Sequence, residues 1–312
     1  MSMKAAALKP RRRKMPGYVV AINVFFVLLS LCYILPMMLV VSASFTSERV
    51  LTTGGFGLFP AEFTLDAYKM AFKNPTQLVN AYVVTIAQAL LGTFLTTVLM
   101  GMSAYPLSRS NFRFKGPVTW YIFCTMLFSG GAIPTYIIYT NWYHLLDTYW
   151  IYILPGLAGG AWNTLVIRTF FKGLPESLFE SAKIDGAREL TIFFKIAVPL
   201  STPVFATIGF MTLVGKWNDW NTSLIYIRSS SLYTLQYLLQ RILNETAFLK
   251  NLMQNSDMAA LAAQVGGDSA ATLPAETLKY ALCVIAAGPM LVVFPFFQKY
   301  FASGLTIGAV KG

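Results

Sequence analysis

Six stretches of the chain are apolar for long enough to cross a bilayer: residues 18–41, 80–105, 117–139, 149–171, 202–225 and 278–297. A spanning helix needs about 20 such residues, so the pattern predicts an all-α membrane protein of six transmembrane helices. The third stretch is interrupted by Ser129, Gly130, Gly131 and Pro134. Helix breakers at membrane depth need neighbouring protein or a wet cavity for their freed backbone groups, which predicts a position inside the bundle, facing other helices. Gly156, Gly159 and Gly160 in the fourth stretch allow close helix contact. A cleaved signal peptide is the competing reading of the first stretch, because Val41-Ser42-Ala43 is weakly cleavage-like. Its apolar run, however, exceeds the ~7–15 residues of a signal core, and further spans follow.

The polar intervals divide by character. Residues 45–77, with Gly54, Gly55, Gly57 and Pro60, read as an extracytoplasmic loop, and residues 226–276 as a second one. Within the latter, residues 235–252 carry an amphipathic helical pattern through Leu238, Leu239, Ile242 and Leu249, while 254–274 is rich in Ala, Gln, Gly and Ser. Residues 1–16 form a basic tail, 106–115 a short link with Arg109, Arg113 and Lys115, and 140–148 a short outer link.

Composition agrees: 56% of the 312 residues are hydrophobic and 12% charged, too apolar for a soluble domain. The net charge of +11 raises nucleic acid as a partner. Its placement argues otherwise: with six spans and both termini cytoplasmic, 16 of the 24 lysines and arginines fall inside and 7 in the outer links. That is the positive-inside bias of a protein whose surroundings are membrane lipid.

The interval 173–199 is the most informative. Pro175 suits the first position of a helix, and Glu176 and Glu180 would lie near its positive end. Leu178, Phe179 and Ala182 form an apolar stripe. Asp185 is suited to cap a second helix, and Gly186 permits a tight backbone between the two. The expected unit is a helix over 176–184, a sharp turn and a second helix.

Glu180-Ser181-Ala182, Gly186 and Ile196-Ala197-Val198-Pro199 together resemble the cytoplasmic coupling loop of ABC importer permeases, with Ser181 in place of the usual Ala. Residues 57–68 and 304–312 are similar to segments of the carbohydrate-importing, MalG-like members, and within them to the LplC/YtcP-like oligosaccharide branch. The resemblance implies a type I importer (MetI-like) fold over residues 17–312 in the bacterial cytoplasmic membrane. It implies pairing with a second related permease, two ABC ATPase subunits and an extracytoplasmic solute-binding protein. Glu176, Leu178, Phe179, Glu180, Ser181, Ala182, Asp185, Gly186 and Ala187 would couple to the ATPase, with Glu180 anchoring the short helix.

Little catalytic chemistry is available. No phosphate-cradling Gly-x-x-x-x-Gly-Lys-Ser/Thr run occurs, so ATP and Mg belong on a partner subunit and no cofactor is expected on this chain. The single histidine, His144, suits an interfacial structural role, and Cys32, Cys124 and Cys283 read as small buried apolar residues without metal-ligand spacing. The polar feature inside a span is Lys216, Trp217, Asn218, Asp219, Trp220 and Asn221. Lys216 and Asp219 could pair on one helical face, and the indoles and amides suit a sugar ring and its hydroxyls. Asn163 is a further candidate for that cavity. An aromatic belt with a salt bridge locking two helices is the structural alternative. A membrane enzyme acting on lipid-linked sugar would need clustered acid, base or metal groups that this sequence lacks, and an assembly subunit would not need the polar patch. Lys216 would tolerate an acidic sugar such as a uronate unless Asp219 neutralises it.

Overall fold

A computed structural model describes residues 17–254 and 275–309. The basic tail at 1–16, most of the Ala/Gln/Gly/Ser-rich link at 255–274 and residues 310–312 of the terminal signature lie outside the described residues, as does the side chain of Leu249. The described part is helical, with a single isolated bridge between Thr46 and Phe63.

Helix α1 (Gly17–Ser44) is apolar on every side, and none of its most hydrophobic window is buried within the chain. A helix with no polar face and no protein cover finds its solvent in lipid or in another subunit. The interval after it is more ordered than a turn-rich loop: it holds α2 (Glu48–Gly54) and α3 (Asp66–Ala71). Phe45 stacks between Phe63 and Tyr68 at 5.4 and 5.0 Å. Glu48 accepts hydrogen bonds from the backbone N–H groups of Glu276 and Thr277, at the start of the last helix.

The central post is α4 (Pro75–Ser108), longer at both ends than the predicted span. Ala81, Ala89, Gly92, Met100, Gly101 and Ala104 are buried on it, and small residues there let neighbours approach closely. At Gly101 a Cβ would stand 2.6 Å from the Phe205 ring of α12 (Thr202–Trp217), so no larger residue fits without displacing that ring.

Two predicted spans are bent within their own length. The third is α5 (Lys115–Leu127) and α6 (Ala132–Ile137, continuing as a wider turn to Trp142), which meet at 111° across Gly131 at φ +84°. Neither α5 nor α6 has a buried residue, so the expectation that this stretch sits inside the chain's own bundle is not met. Its broken backbone is open to whatever lies beside the chain. The fourth is a 3₁₀ turn (Tyr149–Tyr152) with α7 (Leu154–Leu157), joined at 46° to α8 (Ala161–Lys172).

After α9 (Glu176–Ile184), α10 (Glu189–Ile192) runs through a wider turn into α11 (Val198–Leu200), which meets α12 at 84°. The predicted fifth span is not one helix: α12 ends at Trp217, and α13 (Asn221–Tyr226) is a separate piece. Then come α14 (Leu235–Gln254), with Leu238 and Leu239 buried as its pattern predicts, and α15 (Ala275–Ala309). Among the described residues, three helices are long and apolar enough to cross a membrane alone, and each bent pair could supply one more. The cysteines are not buried within the chain: Cys32 and Cys283 are exposed and Cys124 is half-exposed.

Candidate functional site

Two polar regions pack against α4, one at its C-terminal end beside Tyr105 and one near its middle beside Gln88 and Gly92. The first is the elbow formed by α9 and α10. The sequence places α9 well: Pro175 stands at its N-cap, with Glu176 as the first helical residue, and the helix runs to Ile184. Asp185 does not cap the next helix. It is the C-cap of the first, one residue past Ile184, and Arg188 holds the N-cap of α10. The Gly186 N–H bonds to the Lys183 carbonyl at 3.0 Å and the Ala187 N–H to the Ala182 carbonyl at 2.9 Å. This pair of bonds closes a helix through a left-handed residue, and Gly186 supplies it at φ +78°. A glycine is needed because a Cβ is strained at that φ, not for lack of room, since nothing lies within 4 Å of it.

One face of α9 is pinned. Phe179 and Ala182 are buried in an aromatic cluster with Tyr105, Phe171 and Phe193, while Leu178 remains 43% exposed and outside the expected stripe. The Arg109 guanidinium carbon lies 3.8 Å from the Phe179 ring centre and 5.3 Å from that of Tyr105. Lys183 pairs with Glu189 at 2.7 Å, Glu189 also accepts the Tyr105 hydroxyl at 3.1 Å, and Ser110 donates to Glu176. Glu180 is exposed and its side chain forms no hydrogen bond or ion pair within the described residues, where α9 is held by Phe179, Glu176 and Lys183. The other face presents Glu180, Ser181, Asp185 and an 86% exposed Ile184. A cavity of about 390 Å³ opens beside it, lined by Met102, Tyr105, Pro106, Arg109, Lys183 and Glu189 among others.

The second region is the hub around Lys216. Lys216 does not pair with Asp219: among the described residues no ion pair joins them. Its ammonium instead donates to the Tyr152 carbonyl at 3.1 Å, and its carbonyl accepts from Gln88 at 2.7 Å. The lysine stem passes over glycines, since a Cβ on Gly92 or Gly156 would come within 2.7 or 3.0 Å of it. Asp219 accepts the Thr222 N–H at the start of α13, at 3.0 Å. Trp217 is largely buried, its indole N–H donating to the Ala286 carbonyl of α15 at 3.1 Å, and its remaining surface lines the cavity between α12 and α15.

Around them the hydroxyls of Tyr152, Ser223 and Thr234 form a chain with spacings of 2.7 and 2.8 Å. Asp147, in the left-handed region at φ +55°, accepts from the N–H groups of Arg228 and Ser229 and from the Ser229 hydroxyl. Those donors, the Ser229 hydroxyl foremost, hold its carboxyl below the usual carboxylate pKa. Asn218, Trp220 and Asn221 remain exposed, Asn218 lining a cavity of about 480 Å³ between α12 and α15 with Gln236 and Met290. Asn163 is half-buried on α8 beside Gly160 and shares no hydrogen bond with the hub.

Sequence reasoning missed Arg109, Arg168, Tyr105, Tyr152 and Asp147 as site residues; Arg109 stood out only as one of the basic residues of the 106–115 link. No group of three or more His, Cys, Asp or Glu that could hold a metal occurs among the described residues.

Residues 94–307 match the family model described as "Binding-protein-dependent transport system inner membrane component". The chain is 41% identical over 282 residues to protein LplC of Bacillus subtilis (strain 168), covering 89% of this chain and 90% of that one. It is 37% identical over 288 residues to the polygalacturonan/rhamnogalacturonan transport system permease protein YtcP of the same organism, covering 92% and 96%. Among solved structures, a bacterial ABC transporter involved in the import of the acidic polysaccharide alginate superposes with a TM-score of 0.73 at 27% identity, covering 91% of this chain and 96% of that one.

Proposed function

We propose that this chain, which belongs to the binding-protein-dependent transport system inner membrane components, is the permease subunit of an ATP-driven importer that moves an oligosaccharide across the bacterial cytoplasmic membrane. The observation that carries this is the elbow: a short helix pinned on one face by buried aromatic residues and open on the other, at the end of bent spans. Such a lever serves a partner that pushes it. In this reading α9 lies in the cytoplasm and docks on an ATPase subunit that binds ATP and Mg. Glu180, Ser181, Ile184 and Asp185 meet that subunit from the open face, while Phe179 and Ala182 carry its motion inward.

The six apolar stretches act as six spans with cytoplasmic termini, and the uncovered faces of α1, α5 and α6 meet lipid and a second, related permease. A solute-binding protein delivers sugar from outside, and the assembly alternates between inward-open and outward-open states biased by nucleotide. The names of its relatives support a carbohydrate, and an acidic one is supported by the pectin-type and alginate systems among them. Lys216 no longer adds to that argument, because its ammonium is turned onto a carbonyl. Of the predicted pathway residues, Asn218, Trp220 and Asn221 remain exposed to contact sugar.

The test is Gly186→Val in vesicles holding the complete complex. A β-branched residue at φ +78° strains the turn, while the open space around it removes any clash. The complex is expected to assemble and to hydrolyse ATP without driving uptake. Full uptake by this variant would overturn the assignment.

A further inference from the structure

We infer that Arg109 and Arg168 form a reciprocal cap that makes α4, α8 and α9 move as one piece, with Arg109 as the positioning residue that passes displacement of α9 into the spans. The inference rests on the reading of α9 as the contact for an ATPase. The geometry is paired. Arg109, the residue that ends α4, donates from Nη2 to the Phe171 carbonyl in the last turn of α8 at 3.0 Å. Arg168, in the last turns of α8, donates from Nε to the Leu107 carbonyl in the last turn of α4 at 2.9 Å. The final carbonyls of a helix have no partner within it and form its negative end, so a guanidinium answers both their hydrogen bonding and their charge. Each helix therefore supplies a cap to the other, and neither can slide or rotate alone without breaking one of the two bonds; the Phe171 carbonyl also accepts the Leu174 N–H at 3.3 Å, whereas the Leu107 carbonyl receives Arg168.

Besides the apolar packing of Phe179 and Ala182, α9 meets this cap through the Arg109 side chain. The Arg109 guanidinium lies over Phe179 of α9 at 3.8 Å and beside Tyr105 of α4 at 5.3 Å, while its Nε donates to the Ser108 hydroxyl at 3.1 Å. A flat cation between aromatic faces gains from each, and the planar fork lets it do so while still donating at its edge. The other polar links of α9, Glu176 to Ser110 and Lys183 to Glu189, are made by exposed or half-exposed groups, where water weakens them. Arg109 is the half-buried one, touching α4, α8 and α9 together.

The experiment uses the complete complex in proteoliposomes, with sugar uptake and ATP hydrolysis measured together. With Arg109→Gln, the ATP hydrolysed per sugar taken up should rise about fivefold or more, the size of a lost coupling between sites. The sugar concentration giving half-maximal uptake should stay within about twofold of wild type, since no sugar contact is removed. Arg109→Lys should share the defect, because an ammonium cannot stack between the rings and reach the carbonyl. Adding Phe179→Leu to Arg109→Gln should add little, as for two residues acting through one contact. Should Arg109→Gln fail to assemble, Arg168→Gln removes the return cap and should raise the same ratio. An unchanged ratio in an assembled variant overturns the inference, as does a parallel fall of uptake and hydrolysis that Arg109→Lys restores. If wild-type uptake needs no ATP hydrolysis, the coupling reading itself fails, and this inference with it.

Discussion

The elbow and the hub are both islands of polar residues in an apolar chain, and they direct their polarity in opposite ways. At the elbow the apolar side chains Phe179 and Ala182 face in and Glu180, Ser181 and Asp185 face out. At the hub the ammonium of Lys216 is turned onto the Tyr152 carbonyl, and the hydroxyls of Tyr152, Ser223 and Thr234 bond one another. A polar group in low-dielectric surroundings must be satisfied, and its presence in a span does not say by whom. The elbow leaves its polar groups for another molecule. The hub turns Lys216 and its hydroxyls inward and leaves only Asn218, Trp220 and Asn221 exposed at its edge.

The contrast can be broken from either side. Its largest test is Phe179→Ala, which removes a side chain only 2% exposed from the elbow cluster. It is expected to cost roughly 3–5 kcal/mol, the usual loss for a buried Phe, read as a fall in thermal unfolding in detergent together with uncoupled ATP hydrolysis. Lys216→Met should cost less, about 1–3 kcal/mol, by stranding the Tyr152 carbonyl, and should leave the half-saturating sugar concentration unchanged. A changed sugar preference with intact stability would move Lys216 from the hub to the pathway.

The smallest effect is that of pH at Asp147. Its folded pKa is depressed, so the stability it contributes is fully present above the ordinary carboxylate pKa and is lost as pH falls through the folded value. Thermal unfolding followed below about pH 4 should show the wild type losing more stability than Asp147→Asn; identical acid limbs would remove Asp147 as the holder of the Arg228–Ser229 turn.

The short helix was legible almost to the residue, because Pro175 and Gly186 punctuate it and both have few places to go in a backbone. Asp185 misled for a related reason: the turn closed by Gly186 requires the preceding residue to end one helix, leaving it no part in starting the next. Lys216 and Asp219 are three residues apart, which brings side chains together only along a continuous helix. With α12 ending at Trp217, that spacing loses its meaning. The bends were half legible. Ser129, Gly130 and Gly131 marked a break, but a hydropathy window averages over a span and carries no angle, so the 111° between α5 and α6 and the bare surface of both were hidden in it. Arg109 could have been found only by knowing that Phe179 and the end of α8 would meet it.

Glu48, half-buried after the first span, holds the opening N–H groups of the final helix, so the two ends of the described chain are buckled together. Taking away the last helix would strip Glu48 of the donors of Glu276 and Thr277 and leave its carboxylate to water, so the short helix after α1 and the final helix are set by one another.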